Sequence, residues 1–329
     1  MTPEPGAGAA DARPARDRVV FFGSGAFAVP ILDALRSHRA VDVVGVVTAP
    51  DRPAGRGYRQ RPTPVARRAS ELGLKLLQPV RLRDDETVAA ISALRPRLGV
   101  LADYGRIVPQ SILEIPERRF LNVHPSLLPR HRGASPIPAA ILAGDLETGV
   151  SIIEMSAGID DGPIVASERV ALEADASAPE LEARLSELGA ALLERTIAPW
   201  LAGELPATPQ DEAAATVTRP LRRADGRLDP RQPTIELERR VRAMAPWPGT
   251  FLDTSFGRLS VDRASVMPAA AGDRAGTIVA DDGGLALATV DGRLTLDEVR
   301  LSGARRMSGA ELRRGRPALV GSRALAEAV

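Results

Sequence analysis

The stretch RVVFFGSGAFA, residues 18–28, decides the fold class of this chain. Two valines and two phenylalanines run without interruption into a turn that contains Gly23 and Gly25, and helical spacing follows over residues 27–37. A short, continuous apolar run that ends at a glycine turn is typical of a strand buried on both faces, as in a parallel sheet covered by helices. We therefore predict strand, turn and helix as the opening of an α/β fold.

The same alternation continues along the chain and predicts its domains. Further strands are predicted at residues 41–48, 98–102, 120–124, 149–155 and 164–172, and helices at 86–94 and 179–202. This pattern indicates a Rossmann-like, mostly parallel sheet in an N-terminal domain of residues 18–203. Residues 204–222 are rich in Pro, Ala and Thr and suit a linker. Residues 223–329 carry one helical stretch, 235–244, and then short strands separated by Gly and Asp, which indicate a small β-barrel or sandwich.

Composition excludes several kinds of chemistry. The chain has no cysteine, which rules out disulfides, thiolate nucleophiles and Cys-ligated zinc. Three scattered histidines are too few for a convincing metal cluster, so no metal is expected. No apolar run approaches the roughly 20 residues that a membrane-spanning helix needs. Residues 1–17 lack the apolar segment of a secretory signal, and we expect them to form a disordered tail.

Two polar side chains end the strand predicted at residues 120–124. Asn122 and His124 are two positions apart and project from the same face of a strand. An amide can hold a developing oxyanion while an imidazole moves protons near neutral pH, as acyl-group chemistry requires. On these two residues alone, the structural interpretation is favoured: an Asn that caps a turn and a His that fills a partly buried slot. Asp160 and Asp161, in a glycine-bounded loop, could form a plain Asx turn or could orient the imidazole.

Three other segments have a functional and a structural interpretation. Residues 49–64 hold four arginines, Arg52, Arg56, Arg59 and Arg61, and form either a solvated connection or a contact to phosphates; the length of the segment favours function. The turn at residues 23–28 fits a relaxed dinucleotide fingerprint, but small residues suit any strand-to-helix turn. Trp247, between two prolines, is interpreted as a packing anchor.

From residue 18 to its C-terminus, the chain resembles the methionyl-tRNA formyltransferase family of folate-dependent formyltransferases. Asn122, His124, the segment SLLP (residues 126–129) and Gly133 match the signature that these enzymes share, and Asp160 matches the family's catalytic aspartate. The segment DRPAGRG, residues 51–57, resembles the insertion with which the family engages the acceptor arm of initiator tRNA.

The resemblance implies a function and a set of site residues. The expected reaction transfers the formyl group of 10-formyltetrahydrofolate to the α-amino group of methionyl initiator tRNA, with catalysis by Asn122, His124 and Asp160. The remaining assignments fall into a folate set (Ala102, Tyr104, Gly105, Ile107, Ser126, Leu127, Leu128 and Pro129) and a tRNA set (Arg52, Arg56, Arg59 and Arg61). The resemblance also implies an OB-like C-terminal tRNA-binding domain. We expect a monomeric, cytoplasmic enzyme that does not bind membranes.

Some positions depart from the family pattern, and rival functions remain. Asp103 adds a carboxylate beside the expected folate residues, and Gly25 stands where a proline is common. A different folate enzyme, acting on an amino sugar nucleotide or hydrolysing the formyl-folate, would keep the same three catalytic residues. A non-catalytic RNA-binding protein is the other rival, and a nicotinamide enzyme comes last.

Overall fold

The computed structural model of the protein describes residues 16–54 and 59–324. The described residues form two compact units: the first falls within Met1–His124, Ile152–Ala166 and Ser186–Pro209, and the second within Pro125–Ser151, Ser167–Leu185 and Gln210–Val329. Of the predicted tail, residues 1–17, only Arg16 and Asp17 are described, and Asp17 already begins the first strand. Over the described ranges, no helix is both long and apolar enough to span a bilayer.

The helices and strands follow one another in an α/β order up to residue 202. They are β1 (Asp17–Gly23), α1 (Ala28–Ser37), β2 (Val41–Val47), β3 (Arg52–Ala54), β4 (Arg59–Arg61), α2 (Pro64–Glu71), β5 (Leu76–Leu77), α3 (Asp85–Ser92), β6 (Leu98–Ala102), α4 (Gln110–Leu113), β7 (Phe120–His124), β8 (Arg132–Gly133), α5 (Pro136–Ala143), β9 (Glu147–Glu154), β10 (Ile164–Ala171) and α6 (Ala178–Ala202). A β-rich region follows, with β11 (Val217–Thr218), α7 (Thr234–Ala243), β12 (Thr250–Thr254), β13 (Gly257–Pro268), β14 (Ile278–Asp281), β15 (Gly284–Ala288), β16 (Gly292–Leu301), β17 (Met307–Ser308) and α8 (Gly309–Gly315).

A seven-stranded sheet with the order β10-β9-β7-β6-β1-β2-β5 carries the α/β part. Strand β1 pairs in parallel with β2 and β6, and β6 pairs in parallel with β7. All four apolar residues of β1, from Val19 to Phe22, have no exposed surface, because the strand is central and both its faces are covered. The predicted mostly parallel sheet is confirmed. Its parallel strands β1, β6 and β7 bring their carboxyl ends to one edge, where open α/β sheets bind ligands.

Aromatic packing joins the end of β1, the residues after β6 and the start of β7. The Phe22 ring meets the rings of Tyr104 and Phe120 edge to face, with centroids 5.3 and 5.2 Å apart. Such pairs stabilise a fold by about 0.5–1.5 kcal/mol each beyond the burial of their area. One aromatic cluster therefore holds the end of β1, the residues after β6 and the start of β7, the strand that carries the polar residues described below.

The second unit contains an antiparallel sheet with the order β12-β13-β16-β15-β14, and β17 pairs with β16. Its core is aliphatic and includes Leu259, Leu287, Leu294 and Val299, each fully buried. The pairing of β13 with β16 shifts register on both sides of Arg263, and such bulges bend and twist a strand. The β-rich C-terminal region is confirmed, and its closure into an OB-like barrel stays a prediction.

The segment predicted as a linker, residues 204–222, makes regular backbone contacts. Thr208 exchanges hydrogen bonds with Ile164, with N···O distances of 2.8 and 2.7 Å. Strand β11 pairs in parallel with β8, and a 3₁₀ turn spans Glu212–Ala214. Backbone pairing of this kind cannot be read from the Pro-, Ala- and Thr-rich composition, because the partners lie far away in sequence.

Candidate active site

Strand β7 presents the predicted amide and imidazole side by side. Asn122 and His124 are buried, with 6% and 4% of their surface exposed, so neither is a solvated turn residue. Their common face follows from strand alternation. The structure therefore excludes the interpretation of Asn122 as a turn cap, since it lies within a central strand.

Asp160 joins the two side chains. Its Oδ1 accepts a hydrogen bond from Asn122 Nδ2 at 2.9 Å, and its Oδ2 lies 3.5 Å from His124 Nδ1. The carboxylate projects from the loop between β9 and β10, where Asp160 has a φ of 50°, a conformation that Asp tolerates better than most residues. One carboxylate thus fixes both the amide and the imidazole, in the arrangement in which a carboxylate orients a catalytic histidine.

The neighbouring Asp161 has a different role. Its Oδ1 pairs with the Ser156 hydroxyl within the same loop, and that hydroxyl also accepts the Gly158 N–H at 3.2 Å. Asp161 therefore shapes the loop, while Asp160 faces the strand residues. The family resemblance assigns the catalytic aspartate to position 160, and that assignment stays a prediction; of the two aspartates, Asp160 is the one that contacts Asn122 and lies near His124.

The folate residues predicted at the end of β6 and just after it include Tyr104, whose hydroxyl is buried. Ala102 and Tyr104 are buried, whereas Gly105 has a φ of 70° and Ile107 is 80% exposed. Tyr104 Oη is buried and makes no hydrogen bond of regular geometry among the described residues, although the Arg106 guanidinium lies close enough to interact with it. Burial raises the pKa of this phenol above its usual value, and the nearby Arg106 offsets part of the effect. A buried hydroxyl that lacks a regular hydrogen bond is unfavourable, so a ligand group that bonds to it would be stabilised.

The folate residues predicted after β7 form a loop held by a serine that sequence analysis missed. Ser151, fully buried on β9, accepts the Leu128 N–H at 3.0 Å and donates to the Ser126 carbonyl at 2.8 Å. Ser126 in turn donates to the Arg130 carbonyl at 2.7 Å. The signal in the sequence is weak: Ser151 is a single hydroxyl in an otherwise apolar strand, where a buried polar group requires a partner.

The remaining residues of this loop are also held at the backbone. Leu128 is 7% exposed, Leu127 and Pro129 are half-buried, and the Leu128–Pro129 peptide is cis. The Pro129 carbonyl accepts the Thr216 N–H at 3.2 Å. Beyond the loop, His131 Nε2 lies 2.7 Å from Asp145 Oδ2. Residues 126–131 are thus held at several points.

The basic segment contains a β-hairpin. Strands β3 and β4 are antiparallel, and the backbone of Arg52 lies opposite Arg61 while Ala54 lies opposite Arg59. Arg61 is exposed. Arg56, the residue that the resemblance connects most directly with tRNA, lies outside the described residues. Three of the four predicted arginines are thus placed on two paired strands.

The glycine turn after β1 is not built to hold a phosphate. The N–H groups of Ser24 and Gly25 both donate to the Asp103 carbonyl, at 2.9 and 3.2 Å. An ideal Cβ on Gly25 would lie 1.6 Å from Asp103 Oδ2, so a carboxylate occupies the space beside the turn. A pyrophosphate there would find these amides used and a negative charge beside it, which argues against the nicotinamide hypothesis.

Two further expectations concern metals and Trp247. Across residues 16–54 and 59–324, no group of three or more His, Asp or Glu side chains is arranged to hold a metal ion. Trp247 is 51% exposed. Half of its side chain therefore does not pack against the protein, and the interpretation of Trp247 as a packing anchor is wrong for that half. Phe251, four residues later and 9% exposed, is the buried aromatic of this region.

Comparisons with known proteins agree across nearly the whole chain. A family model described as "Formyl transferase" matches residues 17–197, and one described as "Formyl transferase, C-terminal domain" matches residues 220–317. A methionyl-tRNA formyltransferase of Roseiflexus sp. (strain RS-1) is 43% identical over 305 residues, covering 91% of this chain and 92% of the relative. One from Thermus thermophilus is 42% identical over 308 residues, covering 93% of this chain and 98% of the relative.

A solved structure supports the fold. HypX from Aquifex aeolicus in complex with tetrahydrofolic acid is similar, with a TM-score of 0.61 and 17% identity, over 91% of this chain and 47% of that chain. At this identity the likeness concerns the fold alone. The sequence relatives and the two family models decide the assignment: this chain belongs to the methionyl-tRNA formyltransferase family, within the formyl transferases.

Proposed function

We propose that this enzyme transfers the formyl group of 10-formyltetrahydrofolate to the α-amino group of methionyl initiator tRNA. The product is N-formylmethionyl-tRNA, which serves translation initiation. The observation that carries the chemistry is the single carboxylate of Asp160 that holds both Asn122 and His124. The acceptor is supported by the relatives, which are named methionyl-tRNA formyltransferases and match from 89% to 93% of this chain.

In the proposed mechanism, Asn122 stabilises the formyl oxygen. An Asn amide carries two N–H groups, and Asp160 takes one of them at 2.9 Å. The second can donate to the formyl oxygen as negative charge develops on it. Loss of one such donor typically costs about 10²–10³ in rate. Asp160 prevents rotation of the amide, so the donor needs no reorganisation during the reaction.

His124 and Asp160 manage the protons. The new bond joins the formyl carbon to the methionyl nitrogen, which loses a proton, and the bond from the formyl carbon to folate N10 breaks, with N10 gaining a proton. We assign His124, protonated as charge develops, to supply positive charge and a proton. Asp160 holds the imidazole by its Nδ1 side and accepts the proton of the amine through water. Orientation by such a pair removes much of the entropic barrier.

The folate co-substrate would contact the residues after β6, and Tyr104 supports this assignment. Its buried hydroxyl makes no hydrogen bond of regular geometry among the described residues, lies beside the Arg106 guanidinium, and could donate to a polar group of the folate. Ala102, Gly105 and Ile107 belong to the same proposed set. Ser126, Leu127, Leu128 and Pro129 keep their assignment to folate from the family resemblance, supported by the rigidity of their loop.

The proposed tRNA contacts come from the basic hairpin and the C-terminal domain. Arg52, Arg56, Arg59 and Arg61 would bind the phosphates of the acceptor arm, because guanidinium forks match phosphate oxygens. The proposed domains are a catalytic domain (18–203), a linker (204–222) and an OB-like tRNA-binding domain (223–329).

We further propose that the enzyme acts as a monomer in the cytoplasm, where the tRNA is loaded with methionine. Sedimentation analysis would test whether the enzyme is a monomer.

One assay with matched variants tests this function. Purified protein should formylate methionylated initiator tRNA and should leave methionylated elongator tRNA largely unmodified. Asp160→Asn should lower kcat by about 10²–10⁴, because the amide cannot hold a charged imidazole. The control is Asp161→Asn, which alters only a loop contact to Ser156. Equal loss in the two variants would remove Asp160 from the mechanism, and transfer to an amino sugar nucleotide instead would identify the rival enzyme.

A further inference from the structure

Trp247 lies on a rigid turn with its ring half-exposed. Pro246 and Pro248 flank it, and each has a restricted φ. The turn closes where Gly249 N–H donates to the Met244 carbonyl at 2.9 Å. With 51% of its surface exposed, Trp247 is among the more exposed large apolar side chains of the described residues. A tryptophan held in this way offers a large aromatic surface at little conformational cost.

A 3₁₀ turn, Arg223–Gly226, packs against the tryptophan turn. A Cβ on Gly226 would lie 1.9 Å from the Gly249 carbonyl oxygen, so only glycine permits this approach. The Arg223 guanidinium carbon lies 5.6 Å from the centroid of the Trp247 ring, within the range of a cation–π contact. The two turns thus present an indole and a guanidinium together.

The surroundings of this pair are positively charged. Arg219, Arg222 and Arg223 lie within five residues of sequence, and Arg219 pairs with Asp225 at 2.6 Å. Arg222 and Arg223 are exposed, and the Arg222 backbone N–H donates to Asp225 Oδ2 at 2.6 Å, so three arginines lie near one carboxylate. The charge therefore favours an anionic ligand over an apolar one.

Phe251, a second aromatic residue of the same region, also contacts arginines, but in a buried arrangement. The Phe251 ring has the guanidinium carbons of Arg227 and Arg258 at 5.3 and 3.9 Å, and Asp253 pairs with both arginines. Phe251 is consequently only 9% exposed. Trp247, by contrast, has the Arg223 guanidinium beside its ring, and half of its surface is exposed; no described carboxylate forms an ion pair with Arg223.

We propose that Trp247 and Arg223 form a stacking platform for an unpaired nucleotide of the acceptor RNA. This inference rests on the proposed function, because it assigns one further contact to the same tRNA. Aromatic rings and guanidinium planes stack on bases that are splayed out of a helix, whereas bases inside a duplex are already stacked on each other. The nearby arginines would neutralise the phosphates of that strand.

The test measures binding of methionyl initiator tRNA at one fixed salt concentration. Trp247→Leu keeps an apolar side chain and removes the ring, so it should weaken binding by about 5- to 150-fold, the range for loss of one stacked base. It should raise the KM for tRNA and leave kcat unchanged. Trp247→Tyr should restore most of the affinity. Phe256→Leu is the matched control, since Phe256 is a 36% exposed aromatic of the same unit, and it should bind like the parent protein.

A second readout does not depend on catalysis. Short single-stranded oligoadenylate should quench the fluorescence of the parent protein, and the same strand in a duplex should not. In Trp247→Tyr the quench should disappear, because Trp200 is then the only tryptophan. Unchanged tRNA affinity in Trp247→Leu, or quenching that persists in Trp247→Tyr, would overturn the platform while leaving formyl transfer intact. A parent protein that transfers no formyl group would instead contradict the proposed function, and the oligoadenylate titration would still decide the platform.

Discussion

Asp103 and Gly25, the two residues near the active-site edge that depart from the family pattern, depend on each other. The Asp103 carbonyl accepts two N–H groups of the turn after β1, and its carboxylate lies where a side chain at position 25 would begin. Asp103 also has a φ of 41°, which is unfavourable for a residue with a Cβ. A proline or alanine at position 25 is therefore incompatible with the observed position of this carboxylate.

Gly25→Ala should lower the free energy of unfolding by roughly 1 kcal/mol, the low end for overpacking, because the carboxylate can rotate aside. In an Asp103→Gly background the same change should cost less than about half as much, since the obstacle is gone. Urea unfolding of the parent, the two single variants and the double variant measures the coupling. Additive effects would show that the two departures are independent.

The sequence predicts those candidate active-site residues whose relative placement depends on a single strand. Strand alternation places Asn122 and His124 on one face without any knowledge of the fold. The choice between Asp160 and Asp161 cannot be made in this way, because it depends on a φ of 50° and on a strand 38 residues away. The resemblance supplied that assignment.

At the scale of elements, Ser151 connects the core of β9 to the loop after β7. Its hydroxyl is the partner of the Leu128 N–H and of the Ser126 carbonyl, and all of these groups are shielded from water. Strand β7, which carries Asn122 and His124, leads directly into this loop. A hydroxyl inside the sheet thereby determines the position of four residues assigned to folate.

Ser151→Ala should lower the free energy of unfolding by about 2 kcal/mol or more, because a buried donor and a buried acceptor each lose their partner. It should also raise the KM for 10-formyltetrahydrofolate, since the loop loses two of its attachments. Thermal unfolding and steady-state kinetics give the two quantities. Ser265→Ala, an exposed serine on β13, should change stability by less than about 0.5 kcal/mol. A Ser151→Ala protein with parental KM would separate the loop from folate binding.

Apolar strands as short as five residues are predictable, as β6 and β7 show, whereas short elements that begin with proline or are rich in arginine are not. Strand β1 and helix α6 follow from a continuous apolar run and from helical spacing over 25 residues. The prediction missed α2 and α5, each eight residues long and each beginning with a proline. Proline is tolerated in the first turn of a helix, so a segment that resembles a loop can be helical. The β3–β4 pair was missed because its strands, RPA and RQR, lack the alternating or continuous apolar residues that predict a strand.

At the scale of the whole molecule, the stability of the second unit is expected to fall at low pH. Carboxyl groups with a lowered pKa recur among its described residues and include Glu180, Glu212, Asp225, Asp229, Asp253, Asp273, Asp291 and Glu311. Hydrogen bonds from the Arg293 guanidinium lower the pKa of Asp273 to about 2. Hydrogen bonds from Arg219 do the same for Asp225, whose pKa is also about 2. An almost lysine-free chain makes such paired contacts common, because an arginine fork fits a carboxylate.

Asp273 gives the clearest prediction, because its partner Arg293 is only 18% exposed. A folded-state pKa of about 2, below the ordinary 3.8, means that the unfolded chain binds the proton more readily. The stabilisation is therefore complete above about pH 5 and is lost as the pH falls towards 2. Asp273→Asn should lower the free energy of unfolding by about 1.5 kcal/mol or more at pH 7, the range for hydrogen bonds to charged groups, and by progressively less between pH 5 and about pH 2. Urea titrations at several pH values measure this difference.

Asp282→Asn is the control, since Asp282 is exposed and makes no ion pair within the described residues. A constant difference at every pH would mean that Asp273 acts through its backbone contact to Ala270 and not through its charge.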